Sequence, residues 1–89
     1  MDLKQVEKIT KALGDINRLK ILQYMQGNGG KLACNEINCF LKLAQPSISH
    51  HIKKMVEADL IEAEKEGRFH SYSLNSKVLQ AYVEKLKSL

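Results

Sequence analysis

The chain has 89 residues, 27% of them charged and 44% hydrophobic, with a formal net charge of +4. That length suits one small domain, expected to span 1–89, and domains this small gain core by self-association. The apolar content is that of a soluble globular protein, no apolar run approaches the roughly 20 residues that span a bilayer, and MDLKQVEK lacks an apolar leader, so a cytoplasmic protein with no membrane partner is expected.

Leu3, Val6, Ile9 and Leu13 recur at steps of three and four, which predicts an amphipathic helix over 3–13. Gly14 ends it, and Asp15 is a good N-cap for a second helix carrying Ile16, Leu19, Leu22 and Met25, with Tyr24 beside them. Gly27-Asn28-Gly29-Gly30 reads as a loop. A short third helix is expected over 35–41, with Ile37, Phe40 and Leu41 inward and a poor cap at Ala33. Lys42-Leu43-Ala44 makes a tight turn. Gln45-Pro46 then opens a fourth helix to about Ala58, proline being tolerated in a first turn. The period next changes to two: residues 60–65 and 69–74 read as strands joined by Glu66-Gly67-Arg68. Asn75-Ser76 caps a last helix whose apolar stripe is Val78, Leu79, Tyr82, Val83 and Leu86.

The fold class is therefore mainly α with a small β-hairpin. A short helix, a tight turn and a second helix with a free polar face make a helix-turn-helix, and the hairpin after it makes it winged, in the order α-α-α-α-β-β-α. AQPSISHHI (44–52) is the informative stretch. Ile48, Ile52 and Met55 give its helix an apolar side, and short hydroxyls, imidazoles and lysines occupy the rest. Serine donates to or accepts from any base edge and lets a helix approach closely, whereas Lys53, Lys54 and Arg68 suit phosphates, which position without specifying sequence. His51, beside Ile48 and Ile52, is as well suited to packing beneath the helix as to a base. Between Gln45 and His70, Glu57, Asp59, Glu62, Glu64 and Glu66 outnumber Lys53, Lys54, Lys65 and Arg68, so the cations must be focused on one face.

Three blocks, KALGDINRLKIL (11–22), AQPSISHHIKKMVEADLI (44–61) and EGRFHSYSLN (66–75), resemble the ArsR/SmtB family of small prokaryotic transcriptional repressors. The middle block is the most specific, and the first departs at Ile16, where family members often have proline. The resemblance implies a homodimeric repressor on an inverted-repeat operator of double-stranded DNA, released by an inducer. It places Gln45, Ser47, Ser49, His50 and His51 on the recognition helix and Arg68 at the wing tip. It puts the first and last helices at the dimer interface, with Leu3, Val6, Ile9, Val83 and Leu86 as contacts.

The family's metal sites do not carry over. By spacing from AQPSISHH, the Cys-x-Cys positions at the third helix fall on Ala33 and Asn35, with Cys34 between them; Cys39 lies about 140° further round that helix. Two divergent thiols supply too few ligands for a metal, and the last helix has neither histidine nor aspartate. The expectation is no metal and no cofactor, with Cys34 and Cys39 as reduced residues, small and buried or half-buried, or as a thiol switch. No nucleophile stands beside a base, so no enzyme is expected. The alternatives are a winged-helix protein-interaction module and a thiol- or small-molecule-responsive regulator of the same type.

Overall fold

The computed structural model describes residues 1–66 and 69–89, without the side chains of 65–70. Helix α1 (Leu3–Leu13) starts with a capping box in which the Asp2 carboxylate accepts from the Gln5 N–H and the Gln5 amide oxygen accepts from the Asp2 N–H. Helix α2 (Ile16–Gly27) is capped by Asp15, whose carboxylate accepts from the Asn17 N–H at 2.8 Å. The buried face of α2 is Ile21, Leu22 and Met25. Ile16 and Leu19, on the same helix, are exposed.

Gly29 and Gly30 take positive φ, the left-handed region where glycine costs least, and they reverse the chain out of α2. The reversal delivers an element the sequence did not reveal, strand β1 (Lys31–Ala33). A single 3-10 turn (Cys34–Glu36) and helix α3 (Ile37–Phe40) replace the longer third helix that was expected. Glu36 compensates for the weak cap at Ala33: one carboxylate oxygen accepts from the Ala33 N–H at 3.1 Å, the other from the Tyr24 hydroxyl. The Tyr24 ring stacks on Phe40 with centroids 4.5 Å apart, which ties α3 to α2.

Helix α4 (Gln45–Glu57) ends where Asp59 enters the left-handed region and the Leu60 N–H donates to the Met55 carbonyl. Strands β2 (Ile61–Glu66) and β3 (Phe69–Leu74) are antiparallel, and β1 adds to the far side of β3, so the sheet order is β1-β3-β2. The expected hairpin is thus two strands of a three-stranded sheet. Its turn at Gly67 and Arg68 lies outside the described residues. Lys31 on β1 and Glu64 on β2 pair across β3 at 3.3 Å. Helix α5 (Ser76–Lys87) begins at Asn75, as its sequence predicted, and the Tyr82 hydroxyl bonds the Thr10 hydroxyl of α1 at 2.8 Å. Among the described residues no helix is long and apolar enough to cross a membrane.

One apolar cluster joins these elements. Ile9, Ile21, Met25, Leu32, Ile37, Met55, Leu60 and Ile61 have 2% or less of their surface exposed, so every helix but α5 sends a fully buried side chain into it, and α5 sends Tyr82. At roughly 25 cal/mol per Å² of apolar surface removed from water, each large side chain so placed contributes on the order of 1.5–3 kcal/mol.

Candidate nucleic-acid interface

Helix α4 has no side-chain cap, because Ala44 precedes it. Its first turn is closed by the Ser47 and Ile48 N–H groups donating to the Ala44 carbonyl, with Pro46 in the first turn, where it withholds no needed donor. Ile48, Ile52 and Met55 form its apolar buried face, and Ala58, just past its end, is buried too. Gln45, Ser47, Ser49, His50, Lys53 and Lys54 are all exposed, so six of the eight residues expected to meet DNA stand free on one helix. Arg68, the eighth, lies outside the described residues.

His51 is turned the other way. It is 9% exposed, and its Nδ1 accepts from the Arg18 Nε–H at 3.1 Å. Arg18 also donates from one terminal nitrogen to the Lys11 and Ala12 carbonyls at 3.2 and 3.3 Å. One guanidinium therefore bonds carbonyls in the last turn of α1 and the ring of a histidine on α4. Of the two roles open to His51 in the sequence, the structure takes the one beneath the helix, against its placement among the DNA contacts, and the ring becomes part of what sets the angle of α4. The His50 and His51 rings diverge, with centroids 6.1 Å apart and planes at 61°.

Asp15 stands at the edge of this network, its carboxylate 3.9 Å from the His51 Nδ1. Desolvation alone would raise its carboxyl, but the Asn17 N–H, His51 and Arg18 outweigh it and hold the group below the ordinary aspartate value. A carboxyl depressed on folding contributes stability above its unfolded pKa, near 4, and that contribution disappears as pH falls through the lower folded value. Asp15→Asn keeps a good N-cap and removes the titration. The variant is expected to show a shallower loss of thermal stability than the parent as pH is lowered below about 4. Equal slopes in a melting series across that range would contradict this role.

At about 100° per residue, Ser47 and Ser49 lie about 160° apart and so occupy opposite flanks of the exposed surface, not one face. Gln45, Ser49 and Lys53 border a groove against the sheet. Lys54 borders a second cleft, of about 230 Å³, which also gathers Lys8 and Lys11 of α1 and Arg18 of α2, together with Glu57. That cationic cluster was not read from the sequence. Lys8 and Lys11 are three apart on one helix and hint at it, but Arg18 joins them only through the fold.

The two thiols are both free and both exposed, where burial or half-burial was expected. Cys34 opens the 3-10 turn, and its Sγ is 3.9 Å from the Tyr72 hydroxyl. Among the described residues no three His, Cys, Asp or Glu side chains are placed to hold one metal ion.

The expected dimer contacts divide. Leu3, Val83 and Leu86 are 64%, 42% and 45% exposed, apolar side chains left without cover. Val6 and Ile9, at 7% and 1%, are used up inside the protomer. They are corrected from interface to interior: the inner side of α1 packs on its own chain.

Residues 15–63, the span from the cap of α2 to the middle of β2, match the model of the bacterial regulatory protein, arsR family. The chain belongs to the ArsR family. It is 35% identical over 86 residues to an arsenical resistance operon repressor of Staphylococcus aureus, covering 97% of this chain and 81% of that one. It is 36% identical over 75 residues to the transcriptional repressor SdpR of Bacillus subtilis (strain 168), covering 84% and 81%. Among solved structures, HlyU from Vibrio cholerae N16961 superposes with a TM-score of 0.77 at 27% identity, covering 97% of this chain and 94% of that one. An ArsR-like transcriptional regulator from Rhodococcus sp. RHA1 shares the fold, with a TM-score of 0.82 at 20% identity over 96% of this chain and 78% of that one. This ArsR-family chain is a winged helix-turn-helix transcriptional repressor of the DNA-binding kind and not an enzyme.

Proposed function

We propose that residues 1–89 act as one DNA-binding domain that represses transcription as a homodimer on an inverted-repeat operator. The observation that carries this reading is the state of α4, with its inner face packed and its outer face clear from Gln45 to Lys54. Gln45, Ser49 and His50 read base edges in the major groove, Ser47, Lys53 and Lys54 meet phosphates, and Arg68 at the wing reaches the neighbouring backbone. Leu3, Val83 and Leu86 cover one another across the dimer, which relieves three exposed apolar side chains. The repressor works without the family's thiolate metal site, since Ala33 and Asn35 stand at its positions.

The test is a fluorescence-anisotropy titration against labelled duplex across a salt series, with the oligomeric mass measured in parallel. Affinity falls as a power of salt concentration, because each phosphate neutralised releases condensed counterions. Lys54→Ala flattens the log–log slope by about 0.9 per protomer and weakens all sequences alike, whereas Ser49→Ala changes the order of preference among sequences. Salt-insensitive binding, or a monomer at the concentrations that bind DNA, would overturn the reading. In the first case the module would be one that docks on protein.

A further inference from the structure

The groove on the sheet side of α4 measures about 370 Å³, the lower end of the usual range for small-molecule sites. Its floor is apolar, made by Ile37, Ile48, Ile52 and Val56, with Ala63 of β2 opposite. Its rim carries Lys53 and Ser49 on the helix, and Cys34 and Tyr72 across from them. We propose that this groove binds a small amphipathic acid, with an apolar body about the size of one aromatic ring and a short chain, in competition with DNA.

The groove is lined by one cation, Lys53, and one carboxylate, Glu57, and it is the unpaired cation that favours an acid over an amine or a neutral ligand. The Lys53 ammonium makes no ion pair among the described residues. Glu57 also borders the groove, but its carboxylate lies 3.9 Å from the Lys54 ammonium. The Tyr72 hydroxyl, like any tyrosine at neutral pH, keeps a proton to donate, and its Oη lies 3.9 Å from the Cys34 Sγ. A carboxylate entering over the apolar floor therefore finds a cation and hydroxyl donors. Competition follows from shared residues: Lys53 and Ser49 line the groove and also lie on the outward surface of α4. This step rests on the DNA reading above, whereas occupancy of the groove does not.

The two cysteines make the groove readable, because both are exposed and Cys34 lines it while Cys39 does not. The probe is 4-phenylbutanoate, with 4-phenylbutan-1-ol as its neutral counterpart, and the readout is the rate of iodoacetamide alkylation at each cysteine, followed by mass spectrometry. Saturating acid is expected to slow alkylation at Cys34 about threefold or more and to leave Cys39 unchanged. The alcohol is expected to bind about threefold or more weakly, the scale of one partly exposed ion pair. Ala63→Phe, which fills the groove from an exposed strand position, removes the protection. No protection, equal protection of both cysteines, or equal affinity for the alcohol would overturn the proposal. In the DNA arm, acid weakens operator binding by the parent and not by Ala63→Phe. Protection of Cys34 in a protein that binds no DNA would sustain the groove and defeat the DNA reading. Protection with unaltered DNA affinity would overturn the competition.

Discussion

Alanine at His51 is expected to lower the unfolding free energy by about 1–3 kcal/mol while leaving the order of preference among DNA sequences intact; alanine at His50 is expected to do the reverse. The two residues are neighbours, yet their rings serve different surroundings. His51 is 9% exposed and holds the Arg18 Nε–H at 3.1 Å. Its removal leaves the guanidinium short of an acceptor and opens a void under α4, two costs of the same sign. His50 is exposed, so its loss costs the fold little. Chemical denaturation of both variants, beside a competition assay with two or more duplexes, separates the roles. A stable His51→Ala protein with altered sequence preference would return His51 to the outer face and dissolve the proposed link from α1 through Arg18 to α4.

Leu32→Ala is expected to lower stability by about 2–5 kcal/mol, more than the loss of His51. Leu32 is the central residue of the three-residue strand β1, faces Tyr72 in the ladder, and is fully buried among side chains from the helices. Truncation removes its apolar contacts and leaves a cavity that a strand fixed by its ladder cannot close. Against a total stability of about 5–15 kcal/mol for a domain, that is enough to leave a substantial unfolded fraction at physiological temperature. A urea titration gives the value directly. A loss below about 1 kcal/mol would mean that β1 is not part of the cooperative unit.

Leu32 also marks where sequence reading stops. The long helices were legible because their caps and apolar periods are local: Asp15, Pro46 and Asn75 each mark a helix start that the fold keeps. Strand β1 has one inward apolar residue in three and a partner some forty positions away, so no local period announces it. The third helix was overdrawn for a related reason, since the Glu36 bonds to the Ala33 N–H and to Tyr24 favour a 3-10 turn before a single helical turn. An apolar stripe at steps of three states which side of a helix avoids water but not what covers it. On α1 the protomer takes Val6 and Ile9 and leaves Leu3. At the candidate interface, the outward set on α4 could be read from composition and period. The position of His51 beside Ile48 and Ile52 left an inward turn open, but its partner Arg18, thirty-three positions earlier, could not be read. The cluster of Lys8, Lys11, Arg18 and Lys54, from three separate helices, was hidden for the same reason.

The outer face of α4, presented twice by a homodimer, is proposed to read base edges. Repeated selection from a randomised duplex pool at moderate salt, followed by sequencing, tests it most directly. Enrichment is expected of an inverted repeat with half-sites about one or two DNA turns apart, with a shifted consensus when the selection is repeated with Ser49→Ala or His50→Ala. A pool that stays random, or a consensus identical for the parent and both variants, would contradict it.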